Sequence, residues 1–424
     1  MYNLKVEAER LMNILNKKGY ESAFIGPYPY MKYHNAVHED RLKTKDIQFV
    51  TNASLDQLKN IFKVVDIGSD YVNYCIIETE LKQNLTYFKV YYNDNYVSKV
   101  DNSITNISSL SDILNNRNFV IDTITIDLNG KMHCLKNNEE VEAGYVSIEN
   151  RILIANGDFG KLIKKNPMIM LEACLYISDL PYKISQEYLT IMKNNYEYLK
   201  YESIEDIVKY IKNIMKTNNP LKGLNIIKSS LSDFTYNGIK IFDFVNYIFN
   251  KEDIVKLEKN DLLSRWSFLL HGMPDNIVKQ TIDIFKLDEK KILWLINNFE
   301  LPKSNNIKES IYNVSKTIEL INDNKKMHNV FVLYKMINIL SNIYIILDPG
   351  NKEKYEFMSN LICSRPFFND QVLYEDSDII KIVKKDINNI EKYKTELIKY
   401  ILMLDKHPDD EEYIEVMKKI AEDF

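Results

Sequence analysis

Lys45-Asp46-Ile47-Gln48-Phe49-Val50-Thr51-Asn52-Ala53 decides the reading of this chain. Apolar Phe49 and Val50 follow a polar start, and the pattern predicts a strand over 46–51. Side chains alternate along a strand, so residues 46 and 48 share a face. An Asp-x-Asp pair there would present two carboxylates to divalent cations, as phosphoryl transfer requires. Here the second position is Gln48, so only Asp46 offers a carboxylate on that face.

On the N-terminal side, residues 4–18 have helical apolar spacing that stops at Gly19, a helix-ending residue. A strand is expected over 22–26, followed by a loop carrying Pro27 and Pro29. Ser54 is a candidate N-cap for a helix through Phe62. Further strands are expected at 74–78, 86–92 and 119–127, the last ending in the turn Leu128-Asn129-Gly130. Beyond residue 150, apolar residues recur at helical spacing through 161–176, 186–216, 243–300, 306–346 and 376–421. Breaks fall at Pro181, Pro220, Pro302, Pro349-Gly350 and Pro366. The fold class is α+β, a mixed head followed by a helical remainder.

Four hundred and twenty-four residues allow two to four packed modules. No run of 18 uninterrupted apolar residues exists and no apolar signal core opens the chain, so neither a spanning helix nor a signal peptide is expected. Cytoplasm is the expected location, with no membrane and no DNA among the partners. The net charge of −5 makes the whole chain a poor electrostatic attractor of nucleic acid. Cys75, Cys134, Cys174 and Cys363 form no CxxC pair and read as buried free thiols. His34 and His38 are spaced for a shared metal, but read as two exposed loop histidines. Of 55 basic residues only six are arginine, a skew towards Lys, Asn, Ile and Tyr that weakens the meaning of lysine runs such as Lys384-Lys385 and Lys392-Lys394. Tyr28, Tyr30 and Tyr33 could stack on bases, but in a chain with 29 tyrosines a structural role is the simpler reading.

The stretch 45–53 resembles the KDIDIAT(N) segment of the class II tRNA nucleotidyltransferases, the family of CCA-adding enzymes and poly(A) polymerases. Ser22-Ala23-Phe24-Ile25-Gly26 resembles the strand leading into that family's GGxVRD loop, with Gly26 kept but Pro27, Tyr30 and Met31 standing at its second glycine, arginine and aspartate. Proline has no amide hydrogen to offer a triphosphate. Leu114-Asn115-Asn116-Arg117-Asn118-Phe119-Val120-Ile121-Asp122-Thr123 resembles the DLxRRDFTINA motif: Arg117 survives, while Asn118 replaces the third carboxylate. Residues 156–176 resemble the neck motif, with Lys165 and Asn166 at its Glu-Asp and Ile169, Glu172 and Leu175 at its three arginines. The resemblance implies that this helix would read the base of ATP or CTP, and Asn166 and Ile169 lack the charged fork for it. Ser264-Arg265-Trp266 through His271-Gly272 resembles the family's RWAALLH helix, with Gly272 where some members carry a metal-binding Asp.

The resemblance implies a head (1–150), a neck (151–220), a body (221–350) and a tail (351–424). It implies a catalytic site at Asp46, with Gln48 and Asn118 degenerate and Asp122 as a substitute carboxylate, and nucleotide-binding remnants at Gly26, Arg117 and Asn166. A codon bias against arginine would leave lysine, yet none of the replacements Tyr30, Asn116, Ile169, Glu172 and Leu175 is basic. The leading reading is a non-catalytic member that binds tRNA, another structured RNA or a protein partner, with no cofactor required. The alternative is an active enzyme using Asp46, a shifted carboxylate, Mg²⁺ and ATP or CTP.

Overall fold

The computed structural model describes residues 2–422 apart from 45, 71, 82–83, 102, 137–141, 323–328, 385–386, 388 and 405–407. Lys45 and Lys385 therefore lie outside the described residues. Two compact units are distinguished, Met1–Asn246 and Tyr247–Phe424.

The first unit is built on a seven-stranded sheet. In chain order its strands are β1 (Ser22–Ile25), β2 (Gln48–Thr51), β3 (Lys63–Asp70), β4 (Val72–Leu81) and β5 (Asn84–Tyr91). A separate two-stranded ribbon, β6 (Tyr96–Val97) and β7 (Ile104–Thr105), precedes β8 (Thr125–Ile126) and β9 (Met132–His133). The sheet order is β3-β4-β5-β2-β1-β8-β9. Strands β2 and β5 are parallel, which sets Gln48 beside Lys89 and Val50 beside Tyr91. Two-residue alternation splits the sheet into two cores. Phe24 and Phe49 pack with Ala8, Leu11 and Leu15 on one side. Ile25, Val50 and Tyr91 pack with Ile113 and Leu114 on the other. Gln48 shares the parity of Val50 and so belongs to this second face.

Ten helices of this unit are described: α1 (Tyr2–Lys17), α2 (Pro27–Val37), α3 (Leu55–Ile61), α4 (Leu110–Asn115), α5 (Ala143–Asn150), α6 (Phe159–Lys165), α7 (Ile169–Asp179), α8 (Gln186–Asn195), α9 (Ile204–Ile214) and α10 (Pro220–Ser230). The expected cap of α3 is present as a full capping box between Ser54 and Gln57.

Several expectations are corrected. The strand over 46–51 begins at Gln48, so Asp46 sits just ahead of it. Residues 27–37 form α2 rather than a loop: Pro27 occupies the first helical turn, where its missing N–H costs nothing. The strand over 119–127 is broken by a 3-10 turn at Val120–Thr123, leaving only β8. There the Thr123 hydroxyl donates to Val120 O at 2.7 Å, closing the turn with a local hydrogen bond that competes with a sheet ladder. Strand β3 and the small hairpin of Thr235–Tyr236 with Ile239–Lys240 had no sequence signal strong enough to read. Cys363 is exposed, unlike Cys75 and Cys174.

His34 is also corrected: it is fully buried on α2. Its Nε2 lies 3.3 Å from Asp40 Oδ2, its Nδ1 3.3 Å from the Tyr182 hydroxyl, and its ring 4.6 Å from that of His38. Asp40 in turn accepts a hydrogen bond from Arg151. Burial lowers the His34 pKa, with Asp40 opposing and His38 and Arg151 adding to the fall. A histidine kept neutral by the fold takes up its proton more readily unfolded, so its stabilisation is present above about pH 6.5 and lost as pH falls through that value. Urea unfolding at about pH 7.5 and about pH 5.5 should show stability falling with pH, and His34→Gln should flatten that dependence. An unchanged slope in the variant would place the titration elsewhere.

The second unit is helical. Arg265 and Trp266 on Leu262–Leu270 are fully buried, and the Arg265 guanidinium donates to Leu257 O at 2.9 Å. The span expected to be helical from 243 opens instead with 3-10 turns at Asp243–Tyr247, which starts in the first unit, and Glu252–Lys256. Helix Asn329–Leu347 is long and apolar enough to cross a membrane by length and composition alone, and half of it is buried inside the protein. At the end of the chain, Tyr393, Leu397, Tyr413 and Met417 form a separate small core.

A tyrosine-lined cavity where the nucleotide site is expected

A cavity of 490 Å³ opens on the second face of the sheet within the first unit, ordinary in size for a small-ligand site. Gly26, Asp46, Gln48, Arg117 and Asp122 all line it, so the structure brings five of the expected site residues together. Asn118 and Asn166 do not line it. They are hydrogen-bonded to one another at 3.5 Å behind the wall, and the Asn118 amide donates to Glu172, which does line the cavity.

The local backbone explains the floor. Gly26 caps α2 at φ +74°, a left-handed conformation that disfavours side chains. A Cβ there would also stand 2.8 Å from Gln48 Oε1, so the tip of the glutamine side chain would have to shift to admit one. The Gln48 amide nitrogen then donates to Asp46 Oδ2. Asp46 remains accessible at the cavity mouth. Desolvation by neighbouring protein nevertheless raises its pKa, opposed by the Gln48 amide and the Lys89 ammonium.

Deeper in, Asp122 is 1% exposed and accepts the Tyr176 hydroxyl on Oδ1 at 2.6 Å. Arg117 Nη2 lies 3.9 Å from the same oxygen, and its guanidinium lies 4.4 Å from the centre of the Tyr91 ring. Burial raises the Asp122 pKa, while Arg117, Tyr176 and Lys89 pull it down. For Arg117, burial opposes the charge, but Tyr91, Asp122, Tyr176 and Glu172 together hold its proton more firmly than usual. Asp122 thus sits in a 3-10 turn rather than at the strand position expected, yet it does reach the cavity.

The remaining walls are formed by residues outside the expected site. Lys89 lies 3.8 Å over the Tyr74 ring and 5.0 Å from that of Tyr91, and both tyrosines face the cavity. The missed signal was parity: Lys89 and Tyr91 alternate on β5 in register with Gln48 and Val50. Lys209, Tyr210, Asn213 and Lys216 close the opposite side, on and just past α9. Residues 209, 213 and 216 fall at the i, i+4, i+7 spacing that shares one helical face.

A divalent cation, implied by the resemblance, does not fit these residues. Among the described residues no three His, Cys, Asp or Glu side chains cluster to hold a metal ion. Where the second carboxylate is expected, an amide N–H points at the first. A hard cation wants several oxygen donors, mostly carboxylates. The positions that the resemblance implies for base reading are equally changed: Ile169 on α7 is fully buried, and Asn166, at the end of α6, turns to Asn118.

No protein-family model matches the chain. It is 23% identical over 234 residues to the CCA-adding enzyme of Staphylococcus aureus (strain MRSA252), covering 54% of each protein. It is 22% identical over 222 residues to that of Geobacillus sp. (strain WCH70), covering 51% of each. The chain therefore spans about half the length of the curated relatives it matches. Among solved structures it is similar to the Bacillus stearothermophilus CCA-adding enzyme in complex with CTP, with TM-score 0.68, 16% identity and 98% of both chains covered. It is also similar to the Thermotoga maritima CCA-adding enzyme complexed with tRNA, at TM-score 0.55 and 14% identity over 98% of this chain and 94% of the other. The chain is thus similar to CCA-adding enzymes in fold along nearly its whole length, and in sequence over about half of it.

Proposed function

We propose that this tRNA nucleotidyltransferase-like protein binds structured RNA and does not transfer nucleotides. The observation that carries the reading is the Gln48 amide donating to Asp46, which occupies the one expected metal carboxylate with a neutral protein group. Asn118, the other changed carboxylate position, is spent on Glu172. Pro27 has no N–H for a triphosphate. Losing one essential group of such a unit slows a reaction by roughly a thousandfold.

RNA is favoured over a protein partner because a structural relative is complexed with tRNA. Such binding would rest on phosphate contacts, which need lysines on one face rather than a basic protein. Lys209 and Lys216 at the cavity rim are two such groups.

One observation favours the active alternative: Asp46 and Asp122 line the same cavity. Against it stands the Arg117 guanidinium near the Asp122 carboxylate, a positive charge that competes with any cation.

The deciding experiment incubates the protein with tRNA lacking its 3′ end, labelled ATP and CTP, and Mg²⁺ or Mn²⁺. The tRNA should remain unextended, and ordered addition of nucleotides would overturn the reading. In a gel assay the same tRNA should bind more weakly at about 200 mM salt than at about 50 mM. No binding at the lower salt would eliminate RNA and leave a protein partner.

A further inference from the structure

The buried pair at the bottom of the cavity is incomplete. Among the described residues the Arg117 side chain, 7% exposed, makes no hydrogen bond, although a guanidinium carries five N–H donors. Asp122, 1% exposed, uses Oδ1 for the Tyr176 hydroxyl and leaves Oδ2 without a partner. Buried polar groups in native proteins are nearly always hydrogen-bonded, so two unfilled partners in one cavity wall point to something that fills them. It must offer acceptors to a planar donor fork and, beside them, a donor to one carboxylate oxygen.

The walls around this pair are aromatic. Tyr30, Tyr74, Tyr91, Tyr176 and Tyr210 line the cavity. Tyrosine faces stack on nucleobases with little regard to sequence, and selection then falls to the groups that meet the base edge. Guanine presents two neighbouring acceptors, N7 and O6, followed by the N1–H donor. Cytosine presents O2 and N3 followed by its N4 amine. Both suit an arginine fork next to a carboxylate. Adenine and uracil alternate acceptor, donor, acceptor, so neither offers paired acceptors to the fork.

We infer that Arg117 and Asp122 form a base-reading pair that admits guanine or cytosine and rejects adenine and uracil, with no metal ion and no need for a triphosphate. The pair stands on the turn after α4 rather than on α7, where the resemblance places the family's readers. This rests on the reading of the cavity as a binding rather than a transferring site. The base can arrive as a free nucleotide or as the unpaired end of an RNA strand.

The test is calorimetric titration of the full chain, in EDTA, with the 5′-monophosphates of guanosine, cytidine, adenosine and uridine. Guanosine and cytidine monophosphates should bind about tenfold or more tightly than the other two. Short RNAs ending in each base form the second arm. Preference for G or C ends marks a strand end as the ligand, and preference confined to monophosphates marks a free nucleotide. Arg117→Lys keeps the charge beside Asp122 but loses the fork, and should reduce the preference to within about threefold while the protein stays folded. Asp122→Asn should do the same, because the Tyr176 hydroxyl fixes one side-chain atom as acceptor and the amide nitrogen takes the other place. Tyr210→Ala should weaken all four equally.

Equal binding of the four monophosphates, no binding of any, or an Arg117→Lys protein with its preference intact would each overturn the inference. Nucleotide addition in the tRNA assay would instead overturn the functional reading and leave the preference standing, so the two failures are separable.

Discussion

Asn118→Asp should lower the stability of this protein by about 3 kcal/mol at about pH 8. The Asn118 amide donates to the Glu172 carboxylate, and a carboxylate at 118 replaces that hydrogen bond with like-charge repulsion. The loss is held to this size because Glu172 keeps part of its surface in water. One of the two carboxyls would then hold its proton above the ordinary range. A folded-state pKa raised in this way binds protons in the fold, so the deficit should shrink as pH falls from about 8 to about 5. Urea unfolding of variant and parent at both pH values is the measurement. A variant as stable as the parent at about pH 8 would mean that Glu172 is not the partner. Restoring the carboxylate expected at 118 is therefore not a repair, because its surroundings have changed to suit an amide. Gln48→Asp combined with Asn118→Asp should leave addition absent or slow and unselective, since Asn166 and Ile169 remain unable to read a base.

A comparable loss, about 3 kcal/mol, is expected for Gly223→Ala. A Cβ at 223 would meet Ser178 Oγ at 2.1 Å and the Cys174 carbonyl oxygen at 2.6 Å. The hydroxyl can rotate, though it then gives up its 2.7 Å hydrogen bond to Cys174 O. The carbonyl is main chain and can yield only if α7 and α10 separate. Helix α7 carries Glu172, Tyr176 and Asp179 into the cavity, so the same change should weaken nucleotide binding. Gly160→Ala is the control: its Cβ would find only ordinary contacts at 3.4 Å and beyond, and stability should move by less than about 1 kcal/mol. If the two variants unfold alike, the close packing of α7 on α10 does not hold this wall.

What could be read from the sequence follows from the range of each signal. Strands β1 and β2 were legible because the short apolar runs Ala23-Phe24-Ile25 and Phe49-Val50 mark strands buried on both faces. The helix start at Ser54 was legible because a capping box is local. Helix α2 was misread because Pro27 and Pro29 look like loop residues unless they are counted from a helix start. The 3-10 turn at Val120–Thr123 was hidden because apolar residues on both sides of it read as one continuous strand, and Asp122 finds its partner in Tyr176, 54 residues on. Glu172 and Asn118 were each read as a loss. In space, the same separation of 54 residues brings them together as donor and acceptor, an exchange that no single motif displays. Ile169, read as a lost arginine, is a core residue. Two hydrogen-bonded replacements and one well-packed one describe a polar interior rebuilt around different chemistry.

If the cavity binds without transferring nucleotides, the Asp46–Gln48 pair does not hold a divalent cation. Electron paramagnetic resonance of Mn²⁺ titrated into the protein counts the free aquo ion directly, without nucleotide or RNA. The free-ion signal should follow total Mn²⁺ through the micromolar range, and Gln48→Asp, by restoring a second carboxylate, should draw the signal down. Loss of the free-ion signal at stoichiometric micromolar Mn²⁺ in the unaltered protein, abolished by Asp46→Asn, would contradict that reading.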